Sequence, residues 1–218
     1  MTQQMEIICV GNELLIGKTL NTNAQWLCKQ ATNNGTAVKR VTVVADEVEE
    51  IANAVREALQ RKPQFIITTG GLGPTFDDHT RNVISKITGK KLVFSKKLEE
   101  VFSHRYAKPL KPNISDQCRI LETAKIIENR NGTAPGEIIE YREKIIILLP
   151  GPQSEWEPMW KEIEKYLIKK VNNPIITYRF KLADIKEVEL ENLLKPITSE
   201  FEFDYTILAG ANICEFII

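Results

Sequence analysis

Short apolar runs alternate along this chain with stretches whose apolar residues return every three or four positions. Residues 6–10 (EIICV) read as a buried strand. Ala24, Leu27, Cys28 and Ala31 then recur at i, i+3, i+4 and i+7, which is one face of a helix. Gly35 stands where a left-handed glycine ends such a helix. A second strand is predicted at 38–45 (VKRVTVVA), and a helix on Val48, Ile51, Val55 and Leu59 that Pro63 ends. A third strand follows at 65–69 (FIITT), and a third helix on Thr80, Val83, Ile84 and Ile87, closed by Gly89. Strictly alternating strands and helices predict an α/β fold, with a mostly parallel sheet covered by helices on both faces.

From 92 to 144 the pattern loosens. Residues 97–107 read as a helix, and Lys108-Pro109 and Lys111-Pro112 interrupt the chain after it. Short strands are expected at 126–128 and 137–141, around a Gly- and Pro-rich turn at 131–136. Residues 145–149 form another apolar strand, followed by Pro150-Gly151-Pro152. Ser154 with Glu157 fits a capping box for the next helix, whose stripe is Trp156, Met159, Trp160, Ile163 and Leu167. That stripe reads as core, and any exposed part of it as an interface. Asn172-Asn173-Pro174 marks a domain boundary, giving domains at 1–171 and 172–218. The second reads as a small α+β unit of βαββ order, with strands at 175–182, 205–208 and 213–218 and a helix at 187–194.

Charge narrows the partners. The 218 residues carry 29 Lys and Arg against 29 Asp and Glu, a net charge of zero. A nucleic-acid-binding or membrane-surface protein shows a basic excess, so neither partner is expected. The apolar run at 145–149 falls far short of the roughly 20 residues that span a bilayer, and residues 1–6 show no secretory signal. Cys9, Cys28, Cys118 and Cys214 form no CxxC pair, which argues against a zinc ribbon or redox motif. Reduced, buried thiols in a cytoplasmic protein are expected.

The chemistry is expected where glycine turns follow strands. Gly11, Gly70-Gly71-Leu72-Gly73 and Gly151 each come directly after an apolar strand, and Asp46 follows VTVVA. In a parallel sheet these turns share the rim where α/β proteins bind ligands. Glycine lets backbone approach a ligand, and free N–H groups cradle anions, so a phosphate-like group is expected near 70–75. The stretch from Gly11 to Thr19 is no P-loop: five residues stand where four are needed, and Leu14, Leu15 and Ile16 are too bulky. GGLG is no dinucleotide fingerprint either.

Asp46 (with Glu49) and Asp77 or Asp78 have a plain reading as helix caps. Their position beside an anion loop gives a second reading, in which carboxylates among Asp46, Asp77 and Asp78 hold a divalent cation such as Mg2+ against phosphate. His79 and His104 read as surface helix residues, and no Ser-His-Asp or Cys-His set can be built from them.

The runs GNELLIGKTLNTNAQWL, TTGGLGPTFDDHT, NRNGTAPG and the Pro-Gly-Pro after IIILL occur in this order. Together they resemble the molybdopterin-binding (MoaB/MogA-like) family, and specifically the N-terminal domain of CinA-type proteins, over residues 5–167. The resemblance implies a three-layer α/β/α sandwich. It implies acidic residues at Asp46 and Asp78 that are both catalytic and metal-binding. It implies a substrate site drawn from Gly11, Asn12 and Glu13; from Thr69, Gly70, Gly71, Gly73, Pro74 and Thr75; from Asn129, Gly132, Thr133, Ala134 and Gly136; and from Pro150, Gly151 and Pro152. The family often has Asp where this chain has Asn12, and Glu-Met where it continues PGPQSEW.

The molybdenum-cofactor members bind and adenylate molybdopterin. CinA-type domains are associated with divalent-metal-dependent hydrolysis of ADP-ribose. The first expectation is therefore a metal-dependent hydrolase of ADP-ribose-like nucleoside diphosphate compounds. The alternatives are a molybdopterin-binding or adenylating protein and a non-catalytic nucleotide-binding protein. The resemblance also implies a homo-oligomer, and the CinA deamidase domain has no room in this chain.

Overall fold

In the computed structural model, which describes residues 3–106, 109–171, 174–201, 203–210 and 212–218, the chain divides into two units, Met1–Pro174 and Ile175–Ile218. Four residues named in the sequence expectations lie outside the described ones: Asn172 and Asn173 at the boundary, Ala107 at a helix end and Lys108 in a Lys-Pro break.

The strands of the first unit are β1 (Gln4–Val10), β2 (Ala37–Val44), β3 (Phe65–Thr69), β4 (Leu92–Phe94), β5 (Arg119–Leu121), β6 (Lys125–Ile127), β7 (Gly136–Tyr141) and β8 (Lys144–Leu149). Its helices are α1 (Asn12–Leu15), α2 (Thr22–Asn33), α3 (Val48–Arg61), α4 (Thr80–Thr88), α5 (Lys96–Arg105), α6 (Pro112–Asp116), α7 (Gln153–Trp156) and α8 (Trp160–Ile168). Six strands form one sheet in the order β2-β1-β3-β8-β7-β6. β2, β1, β3 and β8 are parallel, and β7 and β6 join antiparallel.

Period-two alternation explains the layers. Met5, Ile7, Cys9, Phe65, Ile67, Ile145, Ile147 and Leu149 face α2 and α8 in one buried cluster. Ile8, Val10, Ile66, Ile146 and Leu148 face α3 and α4 in the other. The result is the three-layer α/β/α sandwich that the motifs imply. Trp156 and Trp160 are buried in the first cluster, and Trp26 meets both edge-on at 5.0 and 5.2 Å between ring centroids. The aromatic stripe is therefore core, and none of Trp156, Met159, Trp160, Ile163 or Leu167 is left exposed to serve as an interface.

Three local expectations are corrected. The helix after Pro152 is not continuous: Glu157–Met159 is a turn of 3-10 helix, where Pro158 lacks the N–H an α-helix needs. Pro152, not Ser154, is its N-cap, with no side-chain cap bond. The stretch 92–121 contains a two-stranded ribbon, β4 with β5, over a small core of Leu98, Phe102, Cys118 and Ile120. Three-residue strands are too short to show a period.

The second unit contains β9 (Arg179–Ala183), α9 (Glu187–Glu200), β10 (Thr206–Gly210) and β11 (Ile213–Ile217). Its antiparallel sheet has the order β10-β11-β9, and Leu190, Cys214 and Phe216 form its centre. No helix among the described residues is long and apolar enough to cross a membrane.

Candidate functional site

Because β1, β2, β3 and β8 are parallel, Val10, Val44, Thr69 and Leu149 end at one rim. β7 runs the other way with Glu137 opposite Leu148, so the turn that feeds it reaches the same rim. All three glycine turns and the NRNGTAPG turn meet there. They surround a cleft of about 380 Å³.

Of the predicted residues, Gly11, Glu13, Asp46, Gly70, Gly71, Gly73, Pro74, Thr75, Asp78, Thr133, Ala134, Pro150, Gly151 and Pro152 line this cleft. The other predicted residues build its walls from behind. The Asn12 N–H donates to Asp46 Oδ2 at 2.7 Å. The Thr69 hydroxyl donates to Pro150 O at 3.0 Å. Asn129 donates through Nδ2 to Ala134 O (2.9 Å) and Glu155 Oε2 (2.7 Å). Gly132 packs against the Glu155 carboxylate, and Gly136 against Met159.

Neither acidic residue is a helix cap. Glu47 is the N-cap of α3 and His79 that of α4, both without a side-chain cap bond. Asp46 instead ties the end of β2 to α1 through Asn12. Asp78 accepts the Thr75 N–H at 2.9 Å, which closes the GGLGPT turn back on itself. The Thr75 hydroxyl is shared between Asp77 Oδ1 and Asp78 Oδ2. That hydroxyl and a backbone N–H hold the Asp77 carboxyl below the usual carboxylate range.

These bonds narrow the anion cradle. The Gly70 N–H is taken by Leu149 O (3.0 Å) and the Thr75 N–H by Asp78, and Pro74 has none. Among the described residues no protein acceptor takes the N–H groups of Gly71, Leu72 or Gly73. Three successive unclaimed N–H groups beside a cleft form the kind of nest that binds anions.

Glycine is required where turns crowd each other. Gly70 has φ +98°, and a Cβ there would collide with the Val10 carbonyl oxygen. Gly70→Ala is therefore expected to destabilise the fold by about 1–3 kcal/mol, read as a lower urea midpoint; an unchanged midpoint would mean the turn can relax.

Three residues escaped sequence reasoning. Asn23 donates both amide hydrogens, to Thr69 Oγ1 (3.0 Å) and Gly151 O (2.7 Å), and so locks the β3 and β8 turns together. Glu155 lines the cleft and holds Asn129. Arg81 is buried and donates through Nε to Glu137 Oε1 at 2.6 Å, directly behind the turn. The NTN and PGPQSE runs contained the first two, but nothing in their spacing marks them as bracing residues. Burial pushes the Cys9 and Cys118 thiols up to about 11, so neither is a nucleophile at neutral pH.

The sequence pattern of the probable molybdopterin binding domain family matches residues 6–170. A CinA-like protein of Thermotoga neapolitana is 40% identical over 194 residues, covering 88% of this chain and 47% of the relative. The chain thus spans about half the length of such curated relatives. The crystal structure of CinA from Thermoplasma acidophilum, a protein described as of unknown function, is 37% identical. It covers 76% of this chain and 99% of its own, with a TM-score of 0.70. A putative molybdenum cofactor biosynthesis protein from Corynebacterium diphtheriae shares the fold at 16% identity and a TM-score of 0.55, covering 81% of this chain and 100% of its own. On a family match of this length and a full-length structural relative, the chain belongs to the molybdopterin-binding domain family, among its CinA-like members.

Proposed function

We propose that the cleft binds a nucleoside diphosphate compound of the ADP-ribose type and hydrolyses its pyrophosphate with a divalent cation. The observation that carries this reading is the meeting of Asp46, Asp78 and the unclaimed N–H groups of Gly71, Leu72 and Gly73 around one cleft. Carboxylates do not bind phosphate unaided, because like charges repel; the pair needs a cation between.

The donor set suits such an ion. Among the described residues no group of three or more His, Cys, Asp or Glu could enclose a metal. Mg2+ is commonly held by one or two carboxylates, with water and substrate phosphate completing the shell. Asp46 and Asp78 would hold the ion; when bound, it offsets phosphate charge and lowers the pKa of water. The chain's own part is orientation. The Gly71–Gly73 N–H groups grip a phosphate oxygen, and Asn12 and Thr75 aim the two carboxylates through N–H bonds.

The test is incubation of the protein with ADP-ribose and a panel of divalent ions, with AMP and ribose 5-phosphate as expected products. No AMP with any ion would remove the hydrolase. The family pattern over residues 6–170 supports a second reading, a molybdopterin-binding or adenylating protein. Molybdopterin binding with pyrophosphate release from ATP would favour it, and ADP-ribose binding without turnover would leave a nucleotide-binding protein.

A further inference from the structure

We propose that Glu155 is the general base of the cleft, its free carboxylate oxygen taking the proton of the water that attacks the pyrophosphate. The inference rests on the proposed hydrolase and names the proton acceptor which that reading leaves open. Glu13, Asp46, Asp77, Asp78 and Glu155 line the cleft, and no Lys, Arg or His does. Asp46 and Asp78 are assigned to the ion. The Asp77 carboxylate already accepts the Thr75 hydroxyl. Glu13 is exposed, and no described residue donates to its carboxylate. Glu155 remains, braced on several sides yet not spent. Among the described residues no three acidic groups could enclose a metal, which separates Glu155 from the Asp46 and Asp78 pair.

The brace is built from the NRNGTAPG turn. Asn129 is 3% exposed. Its Nδ2 donates to Glu155 Oε2 at 2.7 Å and to Ala134 O at 2.9 Å, while its Oδ1 accepts the Asn131 N–H at 3.0 Å. Donors and acceptor of that carboxamide are thus all committed, so it cannot flip. Gly132 stands against the carboxylate, where any Cβ would collide with Oε2. Arg105 of α5 grips the same turn, donating to Asn129 O (2.7 Å) and Gly132 O (3.1 Å). These contacts fix Oε2 and leave Oε1 without a donor among the described residues. A held carboxylate with a lone pair free is what proton abstraction from a bound water needs. In the step itself the water oxygen bonds to one phosphorus. The bond from that phosphorus to the bridging oxygen breaks, and its electron pair leaves with the other phosphate. The water proton passes to Glu155 Oε1 and from there to bulk water.

The experiment follows AMP release from ADP-ribose by the wild type, Glu155→Gln and Glu155→Ala across a divalent-ion titration, with melting curves alongside. Glu155→Gln is expected to lower kcat about a hundredfold or more with KM within about twofold, because the lost interaction exists only in the transition state. Its amide oxygen still accepts from Asn129, so its melting curve should match the wild type. Raising the ion concentration should not restore the rate, since no ligand of the ion is lost. In Glu155→Ala, added formate should recover part of the turnover by supplying a carboxylate to the space left behind. Turnover near the wild-type level in Glu155→Gln overturns the base and leaves the hydrolase standing. Recovery with added ion overturns it in favour of a metal ligand. A raised KM or a lowered melting temperature that accounts for the loss, with no recovery in formate, overturns it in favour of a structural brace. No AMP from the wild type with any ion removes the hydrolase and the base together.

Discussion

Asp78→Asn is expected to cut ADP-ribose turnover at least about a hundredfold while leaving the melting temperature nearly unchanged. Removing a group that merely supports a metal ligand already costs roughly 10–100-fold, so loss of a ligand's charge should cost more. The fold should tolerate it, because Asp78 is half-buried and its structural task is to accept the Thr75 N–H at 2.9 Å. An amide oxygen still accepts that bond. Asp46→Asn should behave alike, since its amide oxygen can still take the Asn12 N–H. Raising the divalent ion concentration should restore part of the lost rate in both variants, because the weakened step is binding of the ion. Steady-state kinetics across a metal titration, with melting curves alongside, provide the check. Full turnover in Asp78→Asn would exclude it as a ligand. A variant that unfolds would assign it to closing the GGLGPT turn through the Thr75 N–H.

The sheet was legible because its signal is local and repeated. Five-residue runs such as FIITT are buried on both faces, and each is followed by a turn and an apolar-periodic helix, so parallel order follows from chain connectivity. Parallel order in turn brings Gly11, Gly70 and Gly151 to one rim. What the periodicity does not contain is which polar groups are already spent. Thr75 looks like a phosphate donor in GGLGPT, yet its hydroxyl and N–H both serve the carboxylates of Asp77 and Asp78. Gly70 looks like part of the anion loop, yet its N–H continues the β3–β8 ladder. Caps misled for a related reason. Asp46 stands at a typical capping distance from Glu49, but its partner is Asn12, 34 residues away in the chain. A contact of that separation depends on the register of β1 with β2, which a single sequence does not encode in any short window.

Arg81→Ala is expected to be the most destabilising single change, by about 3–5 kcal/mol, with a melting temperature lower by roughly 10 °C. Glu137 is fully buried, and its two oxygens are both used: Oε1 by Arg81 Nε at 2.6 Å and Oε2 by the Leu121 N–H at 2.8 Å. Deleting the arginine leaves a buried carboxylate with one neutral donor. Period two puts Glu137 on the same face as Ile139, under α4, so a buried charge there implies a cation on that helix. Arg61 does the same for the buried Glu6, at 2.8 Å from the end of α3. Removing both members should hurt less than removing Arg81 alone. The Arg81→Leu, Glu137→Leu double variant keeps no buried charge and loses mainly the acceptor for Leu121, about 1–3 kcal/mol. Urea unfolding of Arg81→Leu, Glu137→Leu and the double variant measures this coupling. Simple additivity would mean that the pair contributes nothing as a pair. Because α4 carries the GGLGPT turn at its N-terminal end, the single variant should also loosen the anion cradle. Its affinity for inorganic phosphate is expected to fall at temperatures well below its own melting point.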